Sequence, residues 1–268
     1  MTFFSAEKFF DTHQFVCCNC GKDIFVEGEF FCEDCLRTLP FNNGKTCKLC
    51  GAMIEGDHDY CELCKPKRSF FDQAFSSFDY VGVMRKLIKN FKYGNTLYVA
   101  DVLAKYMTET LLSARLEIDC VVAVPLSPKS KRIRGYNQSL VLAQKICEKT
   151  NLPLIKDGVA KIKETQQQEK LSFFERRQNL LGAFEVTDKT LFEGKNVLII
   201  DDVKTTGTTL NRLAKALKKC KAKKVYGLTA VSVKEKISVT KVKKKRTILR
   251  LNGIARKGDK KYEQQKTT

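Results

Sequence analysis

The sequence predicts an α/β protein with a central parallel sheet, preceded by a small cysteine-rich domain. Val197–Ile200 and Cys120–Val124 are short apolar runs rich in β-branched residues, which is typical of buried parallel strands. Each run is followed by a polar loop and then by apolar residues at helical spacing, the order expected of an open α/β sheet. Four Cys-x-x-Cys pairs before residue 65 predict the small domain.

The cysteine pairs predict two structural zinc sites. Two knuckles of two thiolates each complete a tetrahedral four-cysteine site, and four thiolates leave no open position for catalysis. Sequential pairing is favoured, and interleaved pairing stays open. The sequential sets are Cys17, Cys20, Cys32 and Cys35 for one ion, and Cys47, Cys50, Cys61 and Cys64 for the other. We interpret Cys18 as a bystander that could replace Cys17, and the segment around Phe25–Phe31 as short ribbon strands.

The composition limits the class of protein and its compartment. No stretch reaches about 18 apolar residues, and the N-terminus lacks a basic start followed by a long apolar run, so neither a membrane span nor a signal peptide is expected. We therefore expect a cytoplasmic protein, in which a reducing environment favours cysteines as metal ligands over disulfides.

A net charge of +19 favours polyanionic partners such as nucleic acid or anionic lipid, although solvated lysines are the simpler interpretation. Residues 234–268 hold 13 Lys/Arg and three Asp/Glu, so ten of the 19 net charges lie there. This tail is either a phosphate-binding arm or a disordered solubilising segment. The candidate nucleic-acid contacts are Lys243, Lys244, Lys245 and Arg246.

Further elements follow from periodicity. A helix is expected to end at Tyr93 with Gly94 as its cap, and another to span Val99–Ser113. Val225–Val233 is the last predicted strand of the core.

The segment after Val197–Ile200 carries the chemistry. Asp201 and Asp202 stand at the carboxyl end of the predicted strand, where open α/β sheets bind ligands. A glycine loop at a helix start presents successive N–H groups to an anion, and its threonines add hydroxyl donors. The loop residues are Thr205, Thr206, Gly207, Thr208 and Thr209. Carboxylates suit ribose hydroxyls, directly or through Mg²⁺, so the segment suits a sugar phosphate. The simpler alternative is a strand that ends in solvated carboxylates.

This segment resembles the signature of type I phosphoribosyltransferases, in which a hydrophobic strand leads into Asp-Asp and Thr-Thr-Gly-x-Thr. The resemblance implies that Asp201 and Asp202 hold the ribose hydroxyls of phosphoribosyl pyrophosphate (PRPP) with Mg²⁺, and that residues 205–209 hold its 5-phosphate. Lys204 departs from the family, which usually has an aliphatic or aromatic residue there. In the basic loop after Cys120–Pro125, Arg suits bidentate phosphate contact and Lys suits charge neutralisation, although a solvated basic loop is the alternative. The residues predicted at the pyrophosphate are Leu126, Ser127, Lys129, Arg132 and Arg134.

Two further blocks resemble the ComF family of competence proteins. The first is Arg132-Ile-Arg134-Gly-Tyr-Asn-Gln138, and the second lies within residues 161–184, with Lys161 where the family commonly has Arg. The matching positions of the second block are Thr165, Gln168, Leu171, Ser172, Glu175, Arg176, Asn179, Gly182, Ala183 and Phe184. The resemblance covers residues 17 to about 233. It implies that this block closes over PRPP with Arg176 as a catalytic residue; a surface helix with solvated charges is the alternative.

The resemblance also implies domains, partners and location. We expect a double zinc ribbon over residues 14–66, a phosphoribosyltransferase-like domain over 70–233 and a basic extension over 234–268. The family implies single-stranded DNA binding during natural transformation, a DNA-translocating helicase as partner, and a place in the cytoplasm or at the inner face of the membrane. Two functional classes stay open: a binding module for PRPP and DNA, and an active phosphoribosyltransferase with an unidentified nucleobase-like acceptor.

Overall fold

A computed structural model describes residues 16–162 and 183–233, apart from residues 43, 63, 66–68 and 95. The predicted block around Arg176 and the basic run Lys243–Arg246 lie outside the described residues. The helices are α1 (Glu33–Arg37), α2 (Gly82–Tyr93), α3 (Val99–Ser113), α4 (Pro128–Arg134), α5 (Gln138–Thr150) and α6 (Thr208–Lys219). The strands are β1 (Gln73–Asp79), β2 (Cys120–Ala123), β3 (Val159–Lys161), β4 (Phe184–Val186), β5 (Asn196–Lys204) and β6 (Lys224–Ser232).

Four strands form a parallel sheet in the order β1–β6–β5–β2, and β3 pairs with β4 in a separate antiparallel ribbon. Strand β5 lies inside the sheet, with Ile199 opposite Gly227 of β6 and Val121 of β2 opposite Leu198. Its residues from 196 to 202 are all buried, as expected of a strand that is covered on both faces. The predicted α/β class with a central parallel sheet is thereby confirmed.

Helices cover both faces of this sheet. Leu198 and Ile200 of β5 share a hydrophobic cluster with α2, α3 and α5, whereas Val197 and Ile199 share one with α6. Alternate residues of a strand point to opposite faces, so this division follows from the backbone. The cysteine-rich segment contributes to both clusters, because Cys17 and Phe31 pack in the first and Cys47 and Cys50 in the second.

The cysteine-rich segment also covers the exposed edge of the sheet. Ala74 of β1 donates its N–H to Leu49 O at 2.8 Å, and Asp79 donates its N–H to Pro40 O at 2.8 Å. Asn42 bridges the two parts, because its side-chain nitrogen donates to Gly51 O at 2.6 Å and Ser76 O at 3.1 Å. The free N–H and C=O groups of an uncovered edge strand can pair with other chains. Here the cysteine-rich segment forms hydrogen bonds with that edge instead.

The structure differs from the predicted elements in three places. The segment at Phe25–Phe31 forms no ladder among the described residues; isolated bridges, such as Val16 with Asp23, hold the knuckles instead. Strand β1 was not predicted, because its sequence alternates weakly. The predicted basic loop contains helix α4, which begins with Ser127 as its N-cap and Pro128 at its first position, a favoured pair at helix starts.

Candidate functional site

The eight paired cysteines form two clusters. The sulfur atoms of Cys17, Cys20, Cys32 and Cys35 lie within 4.8 Å of one another, as do those of Cys47, Cys50, Cys61 and Cys64. The Cys20–Cys32 and Cys50–Cys61 Sγ–Sγ distances are both 3.7 Å. A tetrahedral zinc site with Zn–S bonds of about 2.3 Å has sulfur–sulfur edges of about 3.8 Å. Both clusters therefore fit a four-thiolate ion, and the grouping is the sequential one.

Cys18 takes no part in either cluster. Burial and the neighbouring Cys17 raise the pKa of its thiol to about 11, which favours a neutral sulfhydryl. The interpretation of Cys18 as a bystander agrees with this position.

Asp201 and Asp202 stand at the carboxyl end of β5 and are 9% and 7% exposed. Asp201 Oδ1 accepts hydrogen bonds from Ser139 Oγ and from the Asp202 N–H, both at 2.9 Å. Asp202 Oδ2 lies 3.3 Å from Lys92 Nζ, but it accepts no hydrogen bond from the described residues. A buried carboxylate oxygen without a hydrogen bond suits a hard cation or a hydroxyl donor, so the pair fits Mg²⁺ and a sugar diol.

Burial dominates the electrostatics of this pair. Desolvation, and then the charge of Asp202, raise the pKa of Asp201 to about 7, against the opposing hydrogen bond from Ser139. Burial lowers the pKa of Lys161 in β3, and the negative charge of Asp201 opposes this shift only in part. A cation bound between the carboxylates would favour their ionised forms.

The threonine loop lies directly after β5. Gly207 is the N-cap of α6 with φ +69°, a left-handed conformation that glycine adopts without strain. Thr206 and Thr208 hydroxyls are 2.7 Å apart, and residues 205–209 are all half-buried. The first N–H groups of α6 have no acceptor within the helix, so the loop presents donors that suit a phosphate.

The second predicted loop contributes a basic helix. Ser127 is buried and caps α4 by accepting the Ser130 N–H at 3.3 Å. Lys129 and Arg132 are exposed and form no ion pair with a described residue, whereas Arg134 donates to Gln138 Oε1 at 3.3 Å. The Arg134 guanidinium also lies 5.6 Å from the centre of the Tyr93 ring.

Sequence reasoning missed three residues beside the carboxylates. Lys92 and Ser139 contact them directly, and Lys161 lies nearby. Two of them could have been recognised from the sequence. Ser139 directly follows the Arg-Gly-Tyr-Asn-Gln motif, and Lys161 stands where the ComF family commonly has Arg. Lys92 could not have been recognised in this way, because it is one of several lysines on its helix.

Comparisons with known proteins agree with this architecture. A family model for the phosphoribosyl transferase domain matches residues 136–255. Competence protein F of Haemophilus influenzae is 28% identical over 214 residues, which cover 76% of this chain and 91% of that protein. DNA utilization protein YhgH of Escherichia coli K12 is 28% identical over 208 residues, with coverage of 75% and 90%. Competence protein ComFC of Bacillus subtilis is 27% identical over 211 residues, with coverage of 76% and 84%.

The matches extend over most of each relative and include the segment that carries the paired carboxylates and the threonine loop. The two four-cysteine clusters precede that segment, as the family resemblance implies. Over most of its length the chain is therefore similar to competence proteins of the ComF type, and residues 136–255 match the phosphoribosyl transferase domain.

Proposed function

We propose that this protein binds PRPP with Mg²⁺ at Asp201 and Asp202, and that it acts in DNA uptake during natural transformation by binding single-stranded DNA. One observation carries the first part: two adjacent buried carboxylates end a central strand, and a glycine loop at the start of a helix follows them directly. Acidic and anion-binding groups so placed suit the two ends of one phosphorylated ribose.

Each group has a proposed role. Asp201 and Asp202 hold the ribose hydroxyls, directly or through Mg²⁺, and residues 205–209 bind the 5-phosphate. The residues Leu126, Ser127, Lys129, Arg132 and Arg134 bind the pyrophosphate, and Arg176 closes over it. The two zinc ions are structural, since four thiolates fill each coordination shell.

Thermal unfolding with and without PRPP tests the proposed PRPP site. PRPP with Mg²⁺ at about 100 times its Kd should stabilise the protein by about 2.7 kcal/mol. The Asp201→Asn/Asp202→Asn double variant should show no ligand-induced shift, whatever its melting temperature without ligand. Asp157→Asn, at an exposed position, is the control and should keep the full shift. An undiminished shift in the double variant would reject the ribose assignment.

The DNA-binding part rests on charge and on the relatives. One relative is named a DNA utilization protein and another a competence protein, and the net charge of this chain is +19. In the described part of the chain, Lys129, Lys131 and Arg132 of α4 are exposed and form no ion pair. Tyr93 is 51% exposed beside Arg134 and offers a stacking surface. A DNA-translocating helicase is the proposed partner, with the protein in the cytoplasm or at the inner face of the membrane.

Among the described residues, no helix is long and apolar enough to cross a membrane.

An active phosphoribosyltransferase is the second candidate, and the match of residues 136–255 to the phosphoribosyl transferase domain favours it. Pyrophosphate release distinguishes the two. Incubation with PRPP, Mg²⁺ and candidate nucleobases should release pyrophosphate only if the protein transfers the phosphoribosyl group. Binding of PRPP without release would favour the binding module.

A further inference from the structure

The last turn of α2 is joined to the proposed PRPP site by two consecutive residues. The Phe91 carbonyl oxygen accepts hydrogen bonds from the Tyr136 hydroxyl and from Gln138 Nε2, the latter at 3.4 Å. Lys92 Nζ lies 3.3 Å from Asp202 Oδ2. The hydrogen bonds fix the turn to the Arg-Gly-Tyr-Asn-Gln motif, and the ion pair fixes it to the end of β5. A ligand bound on the outer side of this turn is therefore held next to the carboxylates.

Tyr93, the last residue of α2, lies at the surface of the same turn. It is 51% exposed, and the Arg134 guanidinium lies 5.6 Å from the centre of its ring. Arg134 ends α4 and is one of the residues proposed to bind the pyrophosphate. Unpaired bases stack on exposed aromatic rings, and a neighbouring arginine adds a cation–π contribution. Tyr93 thus offers a base-stacking surface beside the proposed pyrophosphate site.

Lys86 and Lys89 continue this surface along α2. They precede Tyr93 by seven and four residues, so the three side chains share one face of the helix. The opposite face is buried, with Leu87 and Phe91 in the core. Both lysines are exposed, and neither forms an ion pair with a described residue. At about 1.5 Å per residue, the row from Lys86 to Tyr93 extends over about 10 Å.

Helices α2 and α4 carry cations without carboxylates. Four of the 12 residues of α2 and four of the seven residues of α4 are Lys or Arg, and neither helix contains Asp or Glu. Several exposed lysines elsewhere in the described chain lie beside a carboxylate, as Lys22 does with Asp34 at 2.9 Å. The exposed cations of these two helices are instead available to a polyanion, which they would bind in a salt-dependent way.

A single strand of nucleic acid suits this surface better than a membrane or a duplex. A helix that lies on a membrane inserts a face of large apolar residues, whereas the outer face of α2 holds two lysines and a tyrosine. A duplex keeps its bases stacked against one another, so they do not reach an aromatic ring on a protein surface. A single strand supplies both phosphates for the lysines and unpaired bases for the ring.

We propose that Lys86, Lys89 and Tyr93 bind single-stranded nucleic acid on a path that continues onto α4 and ends at the PRPP site, so that PRPP and the strand compete. Arg134 belongs to the surfaces of both ligands, and PRPP places several negative charges where the path ends, which repel the phosphates of a strand. By linkage, each ligand weakens the binding of the other by the same factor. The inference rests on the function proposed above; it adds the place of the strand and its coupling to PRPP.

Fluorescence anisotropy with a labelled oligothymidine tests the position of the strand. Tyr93→Ala should bind it about 5- to 150-fold more weakly, the range for loss of one stacked base, whereas Tyr93→Phe keeps the ring and should bind as the natural protein does. Lys86→Ala/Lys89→Ala should reduce the slope of log K against log salt by about 1.4, which is about 0.7 for each of two phosphate contacts. The matched control, Lys223→Ala/Lys224→Ala, changes two exposed lysines at the amino end of β6 and should keep the natural slope.

The same titration with saturating PRPP and Mg²⁺, compared with Mg²⁺ alone at the same concentration, measures the competition. PRPP should weaken strand binding by at least about 5-fold, the lower end of typical coupling between two sites. Equal strand affinity with and without PRPP, in a protein whose Tm PRPP raises, would overturn the coupling.

The other outcomes separate this inference from the proposed function. Unchanged strand binding in Tyr93→Ala together with an unchanged slope in the Lys86/Lys89 variant would overturn the position of the strand. Tighter binding to a duplex or to anionic-lipid vesicles than to the strand would do the same. If the natural protein binds no single strand, the DNA part of the proposed function fails together with this inference. If it binds the strand but PRPP does not raise its Tm, the PRPP part and the competition fail, while the variants still decide where the strand lies.

Discussion

Lys92 Nζ lies 3.3 Å from Asp202 Oδ2. This ion pair connects the last turn of α2 to the carboxyl end of β5. Only 12% and 10% of the two side chains are exposed. In the described structure, the ammonium group lies where a bound cation would be expected to meet the carboxylate. In the absence of ligand, a positive charge therefore lies beside this carboxylate.

Removing this cation should destabilise the protein at neutral pH. Breaking a buried ion pair by deleting one partner typically costs about 3–5 kcal/mol, because the other charge is left uncompensated. We expect a loss of that order in Lys92→Met, measured by urea denaturation. The exposed Lys89→Met on the same helix is the control. The Lys92→Met/Asp202→Asn variant should lose less than the sum of the single variants; strict additivity would show that the two groups are not coupled.

The raised pKa of Asp201 predicts a pH-dependent stability. The folded protein holds this proton up to about pH 7, whereas an unfolded chain loses it near about 3.9. The folded state therefore binds more protons between these values, and the contribution of Asp201 to stability falls as the pH rises through this window. The free energy of unfolding of Asp201→Asn minus that of the natural protein should grow by about 1.4 kcal/mol per pH unit. A difference that is constant from pH 5 to 7 would contradict this assignment.

Alanine substitutions at two glycines test how closely the second cysteine cluster packs against the sheet. Gly21 and Gly51 each follow a cysteine knuckle, with φ values of +75° and +64°. An added Cβ would meet nothing within 4 Å at Gly21, but would lie 2.4 Å from Ala74 O at Gly51. Both alanine variants should lose about 1–2 kcal/mol for the left-handed backbone. Gly51→Ala should lose about 1–3 kcal/mol more for the clash; equal losses in denaturant melts would show that the knuckle does not press on β1.

Metal content should distinguish ligands from the bystander cysteine. The Cys18→Ser variant should retain two zinc equivalents, because its sulfur lies outside both clusters. The Cys32→Ser variant should lose the ion of the first centre, together with the packing that this ribbon makes around Phe31. Elemental analysis of the purified variants, with Tm as a second measurement, checks both. Loss of zinc from Cys18→Ser would indicate that Cys18 replaces Cys17 as a zinc ligand.

Binding of single-stranded DNA should weaken steeply with salt. For single strands the slope of log K against log salt is about −0.7 for each phosphate contacted. Alanine at Lys129, Lys131 and Arg132 should reduce that slope by about 2, and alanine at Lys243–Arg246 by up to about 3, as measured by fluorescence anisotropy. Unchanged slopes in both variants would show that neither segment contacts the DNA backbone.

Local patterns in the sequence predicted much of the fold. The helix predicted over Val99–Ser113 is α3, and the helix predicted to end at Tyr93 is α2. Helical periodicity and capping residues depend on neighbours three or four positions away, so they can be recognised without tertiary structure. Strand β1 was missed for the opposite reason: it is defined by its pairing with β6, whose residues lie about 150 positions later.

The cysteine spacing, the paired carboxylates and the threonine loop were determined by the sequence alone, because adjacent residues on a strand and the turn after it are bound to lie together. Only the tertiary structure brought Lys92 and Ser139 to those carboxylates and the ribbons to the edge of β1. It also buried Lys204 at the end of β5. These contacts join segments separated by tens of residues, and packing rather than local preference decides which of many similar lysines and serines is buried.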